Sequence, residues 1–270
     1  MRSLTKRIIS AAIAVPIVLT AVYLGGYFFF GFVLVAVLLG VIEYFWIIER
    51  SSDNSIPAIL KYTSYLSIIL LLSAVFFFVD LKTYVLVLGW FFLYALIFLF
   101  YFPQISLEKL SLSFWGMVYL GCLSSFLLMI RDQDEGKSLI LILLFGIWVY
   151  DTFAYFTGLK WGKRKIAPQI SPLKSLEGAL GGSIGVILFS AIITFWSADQ
   201  LALSGGELIG FSLIIIIAAP LGDLLESALK RNMGVKDSGK LLPGHGGVLD
   251  RIDSLLFTAP LAYFYLLVIA

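Results

Sequence analysis

Apolar stretches of roughly 20 residues, each separated from the next by a short polar or turn-forming segment, run through the whole chain. A helix of about 20 apolar residues is long enough to cross the hydrocarbon core of a bilayer. The pattern therefore predicts an all-α polytopic membrane protein with about nine transmembrane helices. The predicted spans cover residues 8–24, 27–48, 62–79, 83–102, 112–130, 138–158, 178–197, 207–229 and 254–269.

The composition agrees with this pattern. Hydrophobic residues make up 60% of the chain and charged residues 13%, whereas about a quarter of the residues in soluble domains are charged. The single cysteine, Cys122, lies inside an apolar stretch, so an intrachain disulfide is excluded and a small core residue is the expected role. We expect one integral membrane domain, residues 1–270.

Basic residues are distributed unevenly between the two sides of this predicted arrangement. If the N-terminus is cytoplasmic, all of the 19 lysines and arginines except Lys82, Arg131 and Lys137 fall on the cytoplasmic side. The positive-inside rule predicts this bias for a correct topology. An odd number of spans then places the C-terminus outside, and the polar loops 159–177 and 230–253 lie in the cytoplasm. The expected location is the cell inner (plasma) membrane.

Charged residues are concentrated near the end of the chain. Four polar residues of a predicted helix share one face at positions i, i+3, i+4 and i+7: Asp223, Glu226, Ser227 and Lys230. A connector rich in glycine and proline follows, and Asp250 and Asp253 open the last apolar stretch. Carboxylates beside basic residues and glycine amides suit a divalent metal that holds a polyphosphate. The alternative, a charged loop between two spans, does not explain why the charge continues onto the helix face.

A second polar cluster surrounds the loop 159–177. Asp151 lies near the end of the sixth span, where an ionisable group is a functional hypothesis by default. Ser171-Pro172 predicts a turn. Lys174 and Ser175 precede the seventh span, and the free amides of a helix N-terminus suit phosphate. Glu43, near the end of the second span, is interpreted equally well as a structural or a functional carboxylate.

Small residues open the seventh span. They form two overlapping small-xxx-small pairs, Gly178 with Gly182 and Gly181 with Gly185. Such pairs let two helices approach closely. Close helix packing is therefore the preferred interpretation.

The polar motifs together resemble those of a known family. Ser227-Ala-Leu-Lys230-Arg231, Lys236-Asp237, Pro243-Gly-His245-Gly246-Gly247 and Asp250-Arg251-Ile-Asp253 resemble the signature of CDP-diacylglycerol synthases, also called phosphatidate cytidylyltransferases. The region of Asp151 and the run Ser171-Pro172-x-Lys174-Ser175-x-Glu177-Gly178 resemble a second stretch of that family. The resemblance covers roughly the C-terminal 120 residues, and we expect the half 141–270 to be catalytic. Residues 1–140 resemble the family only as a variable series of hydrophobic spans.

The resemblance implies a reaction in which CTP and phosphatidic acid give CDP-diacylglycerol and pyrophosphate, with Mg²⁺ as cofactor. It also implies a homodimer embedded in membrane lipid, and a metal site built on Asp223 and Asp250. A second cation beside Mg²⁺, of which a monovalent ion is one form, stays open. The expected partners are CTP, phosphatidic acid and membrane lipid, and nucleic acid is not expected.

Each candidate residue has a charge or donor that suits this chemistry. The candidate catalytic residues are Asp223, Asp250, Lys230, Arg231, Asp237, His245 and Arg251. The candidate substrate-binding residues are Asp151, Ser171, Lys174, Ser175, Glu177, Ser227, Lys236, Gly246 and Gly247. Glu226 and Asp253 are expected to support the metal ligands, or alternatively to pair with Lys230 or Arg251 or to cap a helix.

Two of these roles have competing interpretations. His245 is the one histidine of the sequence, and phosphate hydrogen bonding or loop structure is favoured over a general base because the attacking phosphate is already ionised. Ser227 bonds either the substrate, a metal-bound water or its own helix.

Two other functions compete with the cytidylyltransferase interpretation. A CTP-dependent lipid or polyprenol kinase would share a polar cytoplasmic loop with carboxylates. A transporter is less favoured, because transporters place charges near the bilayer midplane in two related halves. Here the charges are concentrated at one predicted face and in the C-terminal half.

Overall fold

The structure, a computed structural model, describes residues 2–50, 55–78, 83–197, 203–236, 238–239 and 246–269. Its N-terminal helices are α1 (Arg2–Leu24), α2 (Gly26–Arg50), α3 (Ala58–Phe77), α4 (Thr83–Phe100), α5 (Leu107–Gly116) and α6 (Leu123–Asp132). A π-helical turn, Met117–Cys122, joins α5 to α6. The C-terminal helices are α7 (Gly136–Trp161), α8 (Leu176–Ser197), α9 (Gly205–Asn232) and α10 (Leu249–Ile269).

Every predicted span corresponds to a helical segment. Among the described residues, 7 helical segments are long and apolar enough to cross a membrane, and two shorter apolar helices cover Ser10–Leu24 and Val87–Phe100. The prediction of a helical, multi-span membrane protein is confirmed. The count of nine crossings and the cytoplasmic N-terminus stay predictions.

The last helix begins earlier than predicted, at Leu249 rather than residue 254. The apolar pattern placed the charged residues before position 254 outside the predicted span. Carboxylates are nevertheless favourable in the first turn of a helix, because its free amides carry partial positive charge. Asp250 lies in that first turn.

A short antiparallel hairpin lies between α7 and α8 and was not predicted. Strand β1 (Lys165–Ala167) pairs with β2 (Ser171–Ser175), so that Lys165 lies opposite Ser175 and Ala167 opposite Ser171. The prediction of a turn at Ser171-Pro172 is wrong. The Ile170 amide donates to the Ala167 carbonyl at 3.1 Å and closes the turn earlier, which leaves Ser171 and Pro172 extended. Proline is tolerated there because the two-stranded hairpin has no central strand.

The chain divides into two compact units. The first unit contains Met1–Met129 and Met233–Asp250, and the second contains Ile130–Asn232 and Arg251–Ala270. Within the first unit, α2 and α3 pack against the π-helical turn, and the buried apolar side chains include Tyr44, Ile68 and Leu120. The Tyr44 hydroxyl donates to the Leu112 carbonyl at 2.8 Å. The predicted single membrane domain stays a prediction.

The second unit is built on the contact between α7 and α8. A Cβ atom at Gly182 would lie 2.8 Å from the Tyr150 ring, and one at Gly185 would lie 2.6 Å from the Phe153 ring. A Cβ atom at Gly178 would lie 2.9 Å from the Ala154 carbonyl oxygen. The predicted close packing at this glycine face is therefore confirmed.

Candidate active site

Four elements of the second unit bring charged side chains together. Asp151 comes from α7, Lys174 from β2, Asp223 from α9, and Arg251 and Asp253 from α10. Asp223, Lys174 and Arg251 act electrostatically on Asp151, and Asp223 and Asp151 act on Asp253. The cluster therefore combines three carboxylates that repel one another with basic groups that offset part of this repulsion, Lys174 and Arg251 at Asp151 and Lys230 at Asp253.

Lys174 and Asp223 form the central ion pair of this cluster. The Lys174 Nζ atom lies 2.7 Å from Asp223 Oδ2 and donates to the Pro220 carbonyl at 3.5 Å. The Ser227 hydroxyl donates to Asp223 Oδ1 at 3.3 Å. Ser227 therefore contacts the carboxylate one turn before it. The contacts of Lys174 with Asp223 and Pro220 tie the hairpin to α9.

A second ion pair lies within α9. Glu226 and Lys230 form an ion pair one turn apart in α9, and both are buried, with relative exposures of 1% and 9%. The predicted shared face is confirmed in these two contacts, Asp223 with Ser227 and Glu226 with Lys230. Of the alternatives considered for Glu226, the structure shows the pairing with Lys230.

Asp253 is buried where α10 crosses α9. Its relative exposure is 7%, and its Oδ1 atom accepts a hydrogen bond from the Ser254 amide at 2.7 Å. A Cβ atom at Gly222 would lie 2.6 Å from the Asp253 carbonyl oxygen and 2.8 Å from Phe257 Cβ. Gly222 thus allows the two helices to approach beside the aspartates.

The junction between the hairpin and α8 is held by Ser175 and Glu177. The Ser175 hydroxyl oxygen accepts the Gly178 amide at 3.2 Å, a typical N-cap contact. The Glu177 carboxylate accepts the backbone amides of Lys163 and Arg164 at 3.0 and 3.1 Å. Both side chains shape the loop that presents Lys174, and a contact with substrate stays a prediction for each.

The turn of the hairpin is tied to the end of α9. Arg231 is exposed, and its Nε atom donates to the Ile170 carbonyl at 3.2 Å. Ser171, half-buried, follows directly and opens β2. Arg231 is among the predicted catalytic residues, and the structure shows in addition that it contacts the turn of the hairpin.

Asp250 belongs to the first unit, where it accepts hydrogen bonds from two described residues that precede α10. Its Oδ2 atom accepts hydrogen bonds from the Ser238 hydroxyl at 2.7 Å and from the Gly247 amide at 2.8 Å. Gly246 has a φ of 82°, which favours glycine. A Cβ atom at Gly246 would also lie 2.5 Å from Asp250 Oδ2. Lys236 is exposed in the same unit.

Glu43 contacts the same described residues before α10 and is not among the predicted site residues. It is 3% exposed, and its Oε2 atom accepts the Leu249 amide at 2.8 Å. The sequence signal was a carboxylate within an apolar stretch, which did not distinguish a functional from a structural group.

The structure leaves several predictions about the site untested. Asp237 and His245 lie outside the described residues. Asp223 belongs to the second unit and Asp250 to the first, so their sharing of one ion stays a prediction. Within the described part of the chain, no group of three or more acidic, histidine or cysteine side chains is arranged to hold a metal ion.

Comparison with known proteins decides the family. A model of the cytidylyltransferase family matches residues 5–269. The chain belongs to the cytidylyltransferase family. The resemblance inferred from the polar motifs is therefore confirmed, and the match extends over the N-terminal spans as well.

Individual relatives of the chain agree with this family assignment. The chain is 35% identical to the phosphatidate cytidylyltransferase of Synechocystis over 98% of this chain and 97% of that protein. It is 47% identical to the enzyme of that name from Thermotoga maritima and 43% identical to that from Bacillus subtilis, each over 55% of this chain. In these two matches the chain spans 56% and 55% of the length of the curated relative.

Proposed function

We propose that this cytidylyltransferase transfers CMP from CTP to phosphatidic acid. The similarity to the Synechocystis phosphatidate cytidylyltransferase, which extends over nearly the whole of both chains, carries this assignment. A phosphate oxygen of phosphatidic acid forms a bond to the α-phosphorus of CTP. The bond between the α-phosphorus and the bridging oxygen breaks, and pyrophosphate leaves with that electron pair. The products are CDP-diacylglycerol and pyrophosphate.

The main physical problem in this reaction is the meeting of two anions. Catalysis then depends on neutralising charge and aligning the attacking and leaving oxygens, more than on covalent chemistry by the protein. Lys174 and Arg251 are basic groups of the second unit beside Asp151. Arginine suits bidentate phosphate contact, and lysine provides a compact charge. We assign both, with Lys230, Arg231 and Lys236, to phosphate binding.

Mg²⁺ fits the donor chemistry of these residues. It prefers one or two carboxylates together with water and phosphate oxygens, and Asp223 lies among repelling carboxylates that a cation would stabilise. We propose Asp223 and Asp250 as the ligands. The bound ion would neutralise phosphate charge. His245 and the amides of Gly246 and Gly247 are proposed as phosphate hydrogen-bond donors, and Asp237 as a further catalytic residue.

The substrates suggest how the enzyme is placed in the membrane. Phosphatidic acid keeps its acyl chains in the bilayer, while CTP arrives from the cytoplasm. We propose nine crossings, a cytoplasmic N-terminus, an external C-terminus and an active site at the cytoplasmic face of the inner membrane, in a homodimer. The distribution of lysine and arginine among the connectors supports this orientation.

Radiolabelled CTP tests the reaction. The purified full chain in detergent is incubated with Mg²⁺, phosphatidic acid and CTP labelled at either the α- or the γ-phosphate. We expect lipid labelled from the α-phosphate and pyrophosphate labelled from the γ-phosphate. Lipid labelled from the γ-phosphate would instead support the kinase, and no turnover outside a sealed vesicle would support the transporter.

Substitution of the two proposed ligands tests the metal site. Asp223→Asn and Asp250→Asn should each lower kcat by about 100-fold or more, since changes around a metal commonly cost 10–100-fold and these remove a ligand charge. Both variants should still insert in the membrane. Asp134→Asn, at an exposed position between α6 and α7, is the matched control. Wild-type rates in either variant would remove that residue from the ligand set.

A further inference from the structure

A buried carboxylate lies far from the signature in sequence but against it in space. Glu43 is part of α2, between apolar residues, and is 3% exposed. A buried charge is costly unless hydrogen bonds or other charges compensate for it. The partners that compensate for Glu43 therefore indicate what it does.

Those partners lie at the start of α10. The Leu249 amide donates to Glu43 Oε2 at 2.8 Å, across 206 positions of sequence. Leu249 is the first residue of α10, and a first-turn amide has no acceptor within its own helix. A carboxylate at that end is also favoured by the partial positive charge of the helix N-terminus. Glu43 thus provides α10 with an acceptor from another helix.

Two described glycines before α10, Gly239 and Gly247, leave room for this carboxylate. A Cβ atom at Gly239 would lie 2.5 Å from Glu43 Oε1, and a Cβ atom at Gly247 would collide with Glu43 Oε2 and with the Ser238 hydroxyl. Any side chain at these two glycines would displace either the carboxylate or the loop. The glycines are therefore required by contact with Glu43.

Residues before α10 also donate hydrogen bonds to Asp250. The Ser238 hydroxyl donates to Asp250 Oδ2 at 2.7 Å and lies 3.5 Å from Glu43 Oε2. Because a hydroxyl has one proton, the shorter contact with Asp250 takes it. The Gly247 amide donates to the same Asp250 oxygen at 2.8 Å. Ser238 and Gly247 thus contact both carboxylates, and the position of one constrains the other.

We infer that Glu43 is a positioning residue for Asp250. It accepts the first amide of α10 and lies against Ser238, Gly239 and Gly247, and so sets the place and direction of the Asp250 carboxylate. The effect on catalysis rests on the role proposed for Asp250 in the active site. The effect on the loop does not depend on that role.

The first measurement is hydrogen exchange on the full chain in detergent, followed by mass spectrometry. Glu43→Ala removes the acceptor and should speed exchange of peptides that contain Leu249, while peptides from α7 and α8 keep the wild-type rate. Glu43→Gln retains an amide oxygen as acceptor and should recover most of the protection. Unchanged exchange at Leu249 in Glu43→Ala, or acceleration spread over the whole chain, would overturn the inference.

The second measurement is the rate per mole of monodisperse protein as a function of Mg²⁺ and CTP. We expect Glu43→Ala to lower kcat by about 10–100-fold and to raise the Mg²⁺ concentration for half-maximal rate, with Glu43→Gln in between. Loss of expression with unchanged rate and Mg²⁺ dependence, or equal defects in the Ala and Gln variants, would overturn the positioning role. An inactive wild type would refute the proposed function and leave the exchange result as the test of the loop.

Glu49→Gln is the matched control on the same helix. Glu49 pairs with Lys61 at 2.6 Å near the end of α2 and is outside the proposed active site. Its substitution should leave both the exchange at Leu249 and the Mg²⁺ dependence as in the wild type. Equal effects of the Glu43 and Glu49 substitutions would show a general consequence of charge loss in α2 and would overturn the inference.

Discussion

Asp223 has a partner at each of its carboxylate oxygens. Lys174 Nζ lies 2.7 Å from Oδ2, and the Ser227 hydroxyl donates to Oδ1 at 3.3 Å. Ser227 is one helical turn away, so sequence spacing alone places it on the same helix face as Asp223. Lys174 is on the hairpin between α7 and α8, and no periodicity in the sequence relates it to α9. Residue types were predictable at this site, whereas this ion pair was not.

Lys174→Ala should weaken the use of CTP. The substitution deletes a positive charge near the carboxylates and frees Asp223 from its ion pair. We therefore expect the KM for CTP to rise by about tenfold or more, within the range typical of groups that support a metal site. Steady-state kinetics at saturating phosphatidic acid measures this effect. Lys165→Ala, an exposed lysine of β1, is the control. An unchanged dependence on CTP would exclude a nucleotide role for Lys174.

At the scale of elements, helices were predictable and the hairpin was not. A helix within lipid must satisfy its own backbone hydrogen bonds, so an apolar stretch of sufficient length specifies one locally. The strands β1 and β2 have 3 and 5 residues and show no alternating apolar pattern. They are held by contacts at their ends, including the Glu177 carboxylate with the Lys163 and Arg164 amides.

Gly182→Ala should destabilise the contact between α7 and α8. The added Cβ atom would lie 2.8 Å from the buried Tyr150 ring, and overpacking of this kind typically costs about 1–3 kcal/mol. We expect a lower melting temperature in detergent. Gly89→Ala in α4 is the control, because its Cβ atom would have no neighbour within 4 Å. Equal melting temperatures for the two variants would contradict the close packing.

At the scale of the whole molecule, a late segment of the chain joins an early compact unit. Met233–Asp250 belongs with Met1–Met129, and the contact between Glu43 and Leu249 lies within that unit. The sequence suggested a catalytic half at 141–270 and a variable half at 1–140. In the structure, the Leu249 amide at the start of α10 donates to Glu43 of α2, a helix outside the predicted catalytic half.

Labelling with a membrane-impermeant maleimide tests the orientation of the whole chain. In a Cys122→Ser background, we expect Lys163→Cys to react only in inverted membrane vesicles and Asp134→Cys to react only in right-side-out vesicles. Both positions are exposed in the structure. The reverse pattern would overturn the proposed cytoplasmic location of the hairpin.

The sequence by itself determined the helical membrane class and the family, and it indicated most of the charged residues of the candidate site. These properties depend on local composition and spacing: a long apolar stretch specifies a helix, and the i to i+4 interval places the paired residues of α9 on one face. Only the tertiary structure decided which distant groups meet, as Lys174 meets Asp223 and Glu43 meets Leu249. Such contacts depend on the path of the chain between them, and a buried charge is tolerated only where that path supplies a partner.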